Sequence, residues 1–109
     1  MRFIPSSLRG LREYVDQHFR SIRTVTDIAR HFYYSREYVG WISRQNYNMH
    51  LSEYLMNRKI GYVKTLLEEG KSVSFAFDAG GFHSLSSFIN TFRRCTGMTP
   101  SEYKRAHRL

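Results

Sequence analysis

VTDIARHFYYSREYVGWISRQNYNMHLSEY (residues 25–54) and VSFAFDAGGFHSLSSFINTFRRCTGMTPSEY (residues 73–103) are two copies of one pattern. With one extra residue allowed in the second turn, they align end to end. Ser35 falls on Ser84, Val39 on Phe88 and Arg44 on Arg93. Asn48-Met49 falls on Gly97-Met98, and Ser52-Glu53-Tyr54 on Ser101-Glu102-Tyr103. Each copy reads as a short helix, a tight turn and a longer helix opened by a serine, the pattern of a helix-turn-helix unit.

The rest of the chain reads as helix as well. Pro occurs only at Pro5 and Pro100, so the strongest helix breaker is absent between them. Leu8, Leu11, Tyr14, Val15, His18 and Phe19 form one face at helical spacing, with Ser6 or Ser7 as the cap. Thr24 and Asp27 form a variant capping box before Val25. Residues 51–68 are the longest periodic segment, closed by Gly70. Ser72 opens Val73–Ala79, and Gly80-Gly81 stops it. Thr99-Pro100-Ser101-Glu102 combines N-cap, first-turn Pro and capping-box Glu. The expected fold is a single all-α domain over residues 1–109, of about seven helices. Two helix-turn-helix units (about 24–47 and 72–96) are joined by a linker helix (about 51–68) and followed by a C-terminal helix (about 100–107).

Composition narrows the function. The 109 residues carry a formal net charge of +8, which favours a polyanionic partner. An apolar content of 41% excludes a disordered basic tail. The single cysteine, Cys95, excludes an internal disulfide and a multi-cysteine zinc site. It reads as a packed helix residue. His18, His31, His50, His83 and His107 lack metal-ligand spacing, and no paired carboxylates or Gly-rich phosphate loop appear. Neither a catalyst, a metal nor a cofactor is expected. With no apolar run long enough for a membrane span or signal sequence, the expected compartment is the cytoplasm, at the nucleoid. Phe3, Phe19, Phe32, Tyr33, Tyr34, Phe82, Phe88 and Phe92 read as core first.

From about Leu8 to Arg105 the chain resembles the DNA-binding domain of the AraC/XylS family of bacterial transcription regulators. The specific part is GGFHSLSSFINTFRRCTGMTPSEYK, where Gly81, Phe82, Ser84, Phe88, Phe92, Arg93, Arg94, Gly97, Thr99, Pro100 and Tyr103 sit at matching positions. The length is similar to that of small stand-alone members. The chain departs from the family pattern at five places. Ser43 stands where a Phe is usual, Asn48 for Gly, Lys59 for Arg and Val63 for Ala, and Ala76-Phe77 inverts a size order.

In such a fold the second helix of each unit enters the major groove. Val39, Ile42 and Ser43 should face the core, matched by Phe88, Thr91 and Phe92. The base-reading candidates are Arg36, Glu37, Gly40 and Trp41 in the first unit, and Leu85, Ser86, Ser87 and Asn90 in the second. The resemblance places Glu37, Gly40, Trp41, Ser86, Ser87 and Asn90 at base-contacting positions. Asn90 pairs with adenine, the preferred reading, or is a solvated helix residue. Glu37 accepts from cytosine or, preferably, complements the helix dipole as a first-turn acid. Trp41 touches thymine methyls or, preferably, tips inward over the gap at Ser43. Gly40 lets the backbone approach DNA or is neutral. Arg44, Arg93, Arg94, Lys104 and Arg105 are phosphate candidates, as are the first-turn N–H groups at Val25 and Val73.

These readings add up to a sequence-specific regulator of double-stranded DNA that is not an enzyme. It reads two adjacent major-groove segments as a monomer. The resemblance implies an activator that contacts RNA polymerase. It also implies that longer members carry an effector-sensing domain, for which this chain has no room. A complete chain would be controlled by abundance or a partner, and a fragment would lack its sensor. The alternatives are a non-specific architectural DNA binder and an adaptor that holds another regulator.

Overall fold

Most helices in this chain begin where the sequence offers the first free N–H groups a side-chain oxygen. The computed structural model describes Pro5 and residues 8–108. Among these residues the elements are seven α-helices: α1 (Leu11–His18), α2 (Val25–His31), α3 (Arg36–Tyr47), α4 (Leu51–Glu68), α5 (Val73–Ala79), α6 (Leu85–Thr96) and α7 (Pro100–Ala106). The fold is all-α. Ser35, Ser72 and Ser84 each accept a hydrogen bond from the backbone N–H three residues on, at 3.1, 3.0 and 3.3 Å. Thr24 with Asp27 and Thr99 with Glu102 form reciprocal capping boxes. At the other ends, Asn48 (φ 56°) and Gly97 (φ 81°) take the left-handed conformation that closes α3 and α6. The expected caps Ser6 and Ser7, and Phe3, lie outside the described residues. The first helix starts later than its periodicity predicts, at Leu11, with Gly10 at its N-cap and no side-chain cap.

The chain forms two compact units, residues 1–58 and 59–109, and α4 begins in one and ends in the other. In the first unit Leu11, Val15, Ile28, Val39, Ile42 and Leu55 are buried. A polar chain runs from α1 to the start of α4. The Tyr54 hydroxyl donates to Asp16 at 2.5 Å, and Arg58 pairs with Asp16 at 3.1 Å. Arg12 donates to the Tyr54 hydroxyl at 3.4 Å. Burial, then the Asp16 carboxylate, push the Tyr54 phenol above its ordinary pKa, which keeps it a donor.

The second unit is built on aromatic rings. Phe88 meets Phe77 and Phe82 at centroid distances of 5.3 and 4.8 Å, and Phe92 meets Tyr103 edge-on at 5.3 Å. The Tyr103 hydroxyl donates to Glu68, tying α7 to the end of α4. Burial and that carboxylate push the Tyr103 phenol up to about 12. Lys59 is buried. Its ammonium donates to the Gly81 carbonyl at 2.7 Å and lies 5.7 Å from the Phe82 ring centroid. Gly80, the C-cap of α5, lies against a side chain of α4: an added Cβ would meet Val63 Cγ2 at 2.7 Å. The larger side chain at Val63 is accommodated because residue 80 has none.

Several expectations fail on exposure. Cys95 lies exposed on α6, not packed. Tyr33 is 95% exposed, while Phe32 and Tyr34 are half-buried. His18, placed on the inner face of α1 by its spacing, is exposed at the helix end. Each lies where a helix ends or where its buried stripe runs out, so spacing alone overstates the core.

Candidate nucleic-acid interface

α3 and α6 are both 12 residues long and share one inner stripe. Val39, Ile42 and Ser43 are buried in α3, and Phe88, Thr91 and Phe92 in α6, matching the expected register. That burial turns the remaining positions outward. On α3, Arg36, Glu37, Trp41 and Arg44 are exposed and Gly40 is half-exposed. On α6, Leu85, Ser86, Ser87, Asn90, Arg93 and Arg94 are exposed. On α7, Arg105 is exposed and Lys104 half-buried.

Trp41 does not tip inward. It remains 49% exposed and stacks on Tyr38 at 6.4 Å, which in turn sits 5.1 Å from Tyr34. The Ser43 hydroxyl is fully buried and has no hydrogen-bond partner among the described residues, so the gap that Trp41 was expected to cover is closed by other groups. Gly40 has open space around it: an added Cβ would meet nothing within 4 Å. Packing inside the chain does not require glycine there.

Arg36, Glu37, Gly40, Trp41 and Arg44 line one concavity of about 320 Å³. His50 and Ser52, at the start of α4, line it too. Sequence reasoning passed over these two as site residues, although in the repeat they fall on Thr99 and Ser101 of the second copy. The α6 face is more neutral. The Ser84 hydroxyl holds the Ser87 N–H and lies 3.4 Å from the Ser86 hydroxyl, so these serines are engaged locally. The Asn90 side chain makes no hydrogen bond among the described residues.

The phosphate candidates differ in setting. Arg93 and Arg94 stand in the last turn of α6. Lys104 lines a separate concavity with Glu68 and Glu69, where local carboxylates compete for its charge. At α2 the Asp27 carboxylate accepts from the Arg23 and Thr24 N–H groups, at 3.2 and 3.1 Å. An acid in that position opposes a phosphate at the same helix end. The first turn of α5 carries no acid. Among the described residues no group of three His, Cys, Asp or Glu side chains is placed to hold a metal ion. No described helix is long and apolar enough to cross a membrane.

Comparison with known proteins agrees with this architecture. A family model described as a helix-turn-helix domain matches residues 28–106. The chain is 31% identical over 99 residues to YijO, an uncharacterized HTH-type transcriptional regulator of Escherichia coli K12. That match covers 90% of this chain and 35% of YijO, so the chain spans about a third of its relative's length. The C-terminal domain of AraT, a response regulator from Geobacillus stearothermophilus, superposes with a TM-score of 0.87 at 19% identity, covering 96% of this chain and 88% of that one. The DNA-binding domain of AdpA, a global transcriptional factor solved in complex with a target DNA, gives 0.84 at 24% identity, covering 95% of both chains. The two structures share the fold. With the family model running from within α2 to the end of α7, the chain belongs to the AraC-type helix-turn-helix family, a family of DNA-binding transcription regulators.

Proposed function

We propose that the chain recognises specific double-stranded DNA by laying α3 and α6 in two adjacent major-groove segments, and that it acts in transcription, as an activator that contacts RNA polymerase. The observation that carries this reading is the matched pair of serine-capped helices. Each buries one stripe and turns outward side chains able to bond base edges. One chain then supplies two reading helices, and a monomer suffices for an asymmetric site. Arg44, Arg93, Arg94 and Arg105 serve as phosphate contacts that hold the register. The setting is the cytoplasm, at the nucleoid. Support comes also from the similar AdpA domain, whose structure contains its target DNA.

The exposed Tyr33 and Trp41 favour a second reading, an adaptor that presents aromatic side chains to another regulator. Selection of bound duplexes from a random library at about physiological salt separates the two, because non-specific binding is suppressed there. Two constant blocks about one helical turn apart are expected. No enrichment over the input library would sink the sequence-specific reading and leave the adaptor or an architectural binder.

A further inference from the structure

The two outward faces occupy the same register of a duplicated unit yet carry different chemistry. With Ser35 aligned on Ser84, Arg36 corresponds to Leu85, Glu37 to Ser86 and Trp41 to Asn90. Arg36 and Glu37 are exposed in the first turn of α3, and among the described residues neither side chain forms an ion pair or hydrogen bond. In α6 no charged side chain occurs before Arg93. Its first turn instead exposes Leu85 by 56%, a large aliphatic group in the position held by a cation in the other copy.

The major-groove edges of base pairs sort these groups. Guanine presents two acceptors, O6 and N7, that a guanidinium can bridge, and its partner cytosine presents an N4 donor that a carboxylate accepts. An exposed leucine finds one apolar group on the groove floor, the thymine C5-methyl, and a carboxamide pairs with adenine N6 and N7. We infer that the units read base pairs of opposite kinds: α3 takes a G·C-containing block through Arg36 and Glu37, and α6 takes an A·T-containing block through Leu85 and Asn90. This rests on the reading of α3 and α6 as major-groove helices. It goes further in requiring that the two half-sites differ in composition, so the target is not a direct repeat.

The test uses the whole chain and the duplex recovered from the random library. Deoxyuridine placed for thymine in the A·T block deletes only the C5-methyl. It should weaken binding about fourfold for each methyl contacted. Leu85→Ala should lose a similar factor and become indifferent to the analogue. In the other block, 7-deazaguanine removes the N7 acceptor and should weaken binding about tenfold, with Arg36→Ala indifferent to it. Each analogue is compared within one variant, so a change in that variant's stability cancels. Two blocks of the same composition overturn the inference while leaving sequence-specific reading intact. So does an analogue effect that survives the matching substitution. A library with no enriched block overturns both.

Discussion

Tyr33 turns the chain between α2 and α3 in the left-handed conformation, at φ 63°, where the second unit uses Gly81 at φ 82°. The conformation costs a non-glycine residue about 1–2 kcal/mol, and the exposed ring recovers little of it by packing. Glycine there adds about 0.4–1 kcal/mol of unfolded-chain entropy, so Tyr33→Gly should stabilise the protein by a net of about 0.5–1 kcal/mol. Urea unfolding measures this, and an unchanged midpoint would count against backbone strain. Ser43 supplies a second case. Its buried hydroxyl, without a partner among the described residues, carries a desolvation cost. Ser43→Ala should therefore raise stability by about 1 kcal/mol in the same assay, and a loss would mean that the hydroxyl is bonded. The left-handed Asn48 and Gly97 were legible in the sequence, because a residue's own side chain decides that conformation. Tyr33, Trp41 and Cys95 were not, because their exposure depends on where a helix face ends against its neighbours. Lys59 was legible only as a departure from a family pattern, since periodicity carries no sign that an ammonium will meet the Gly81 carbonyl.

At the level of elements, the capped starts of α2, α3, α5, α6 and α7 were readable because a cap is a contact across three residues. The inner stripes of α3 and α6 were readable from spacing. The close approach of α4 and α5 was not, since it joins positions distant in sequence. Gly80→Ala should cost about 1–3 kcal/mol by driving a methyl group into Val63. Val63→Ala should remove much of that clash, so the double variant should lose less than the sum of the single losses. Strict additivity in denaturation midpoints would show that residues 63 and 80 do not interact. The capping box of α7 adds a pH dependence. Chiefly the Thr99 backbone N–H, then its side chain, hold the Glu102 carboxyl below its ordinary value of 4.5. Its contribution is therefore complete above that pH and disappears as the pH falls through the lower folded value. The stability gap between wild type and Glu102→Gln should be constant near neutrality and close as the pH falls below the ordinary value of 4.5. A gap that stays open through this window would refute the account.

For the whole molecule, the net charge of +8 becomes a dependence of affinity on salt. The four proposed phosphate contacts, from Arg44, Arg93, Arg94 and Arg105, predict a slope of log affinity against log salt of roughly −3.6. Arg94→Ala should shallow it by about one and weaken all duplexes alike. A loss confined to the preferred duplex would reassign Arg94 to base reading. The exposed thiol of Cys95 bears on how the protein is handled. With a single thiol per chain, air oxidation joins two copies through Cys95 and then has no further thiol to couple. A sample stored without reductant should drift toward one covalent pair, never a ladder of larger species. A maleimide dye added to the fresh protein would land on one known spot of α6, and its fluorescence would report on whatever settles beside that helix.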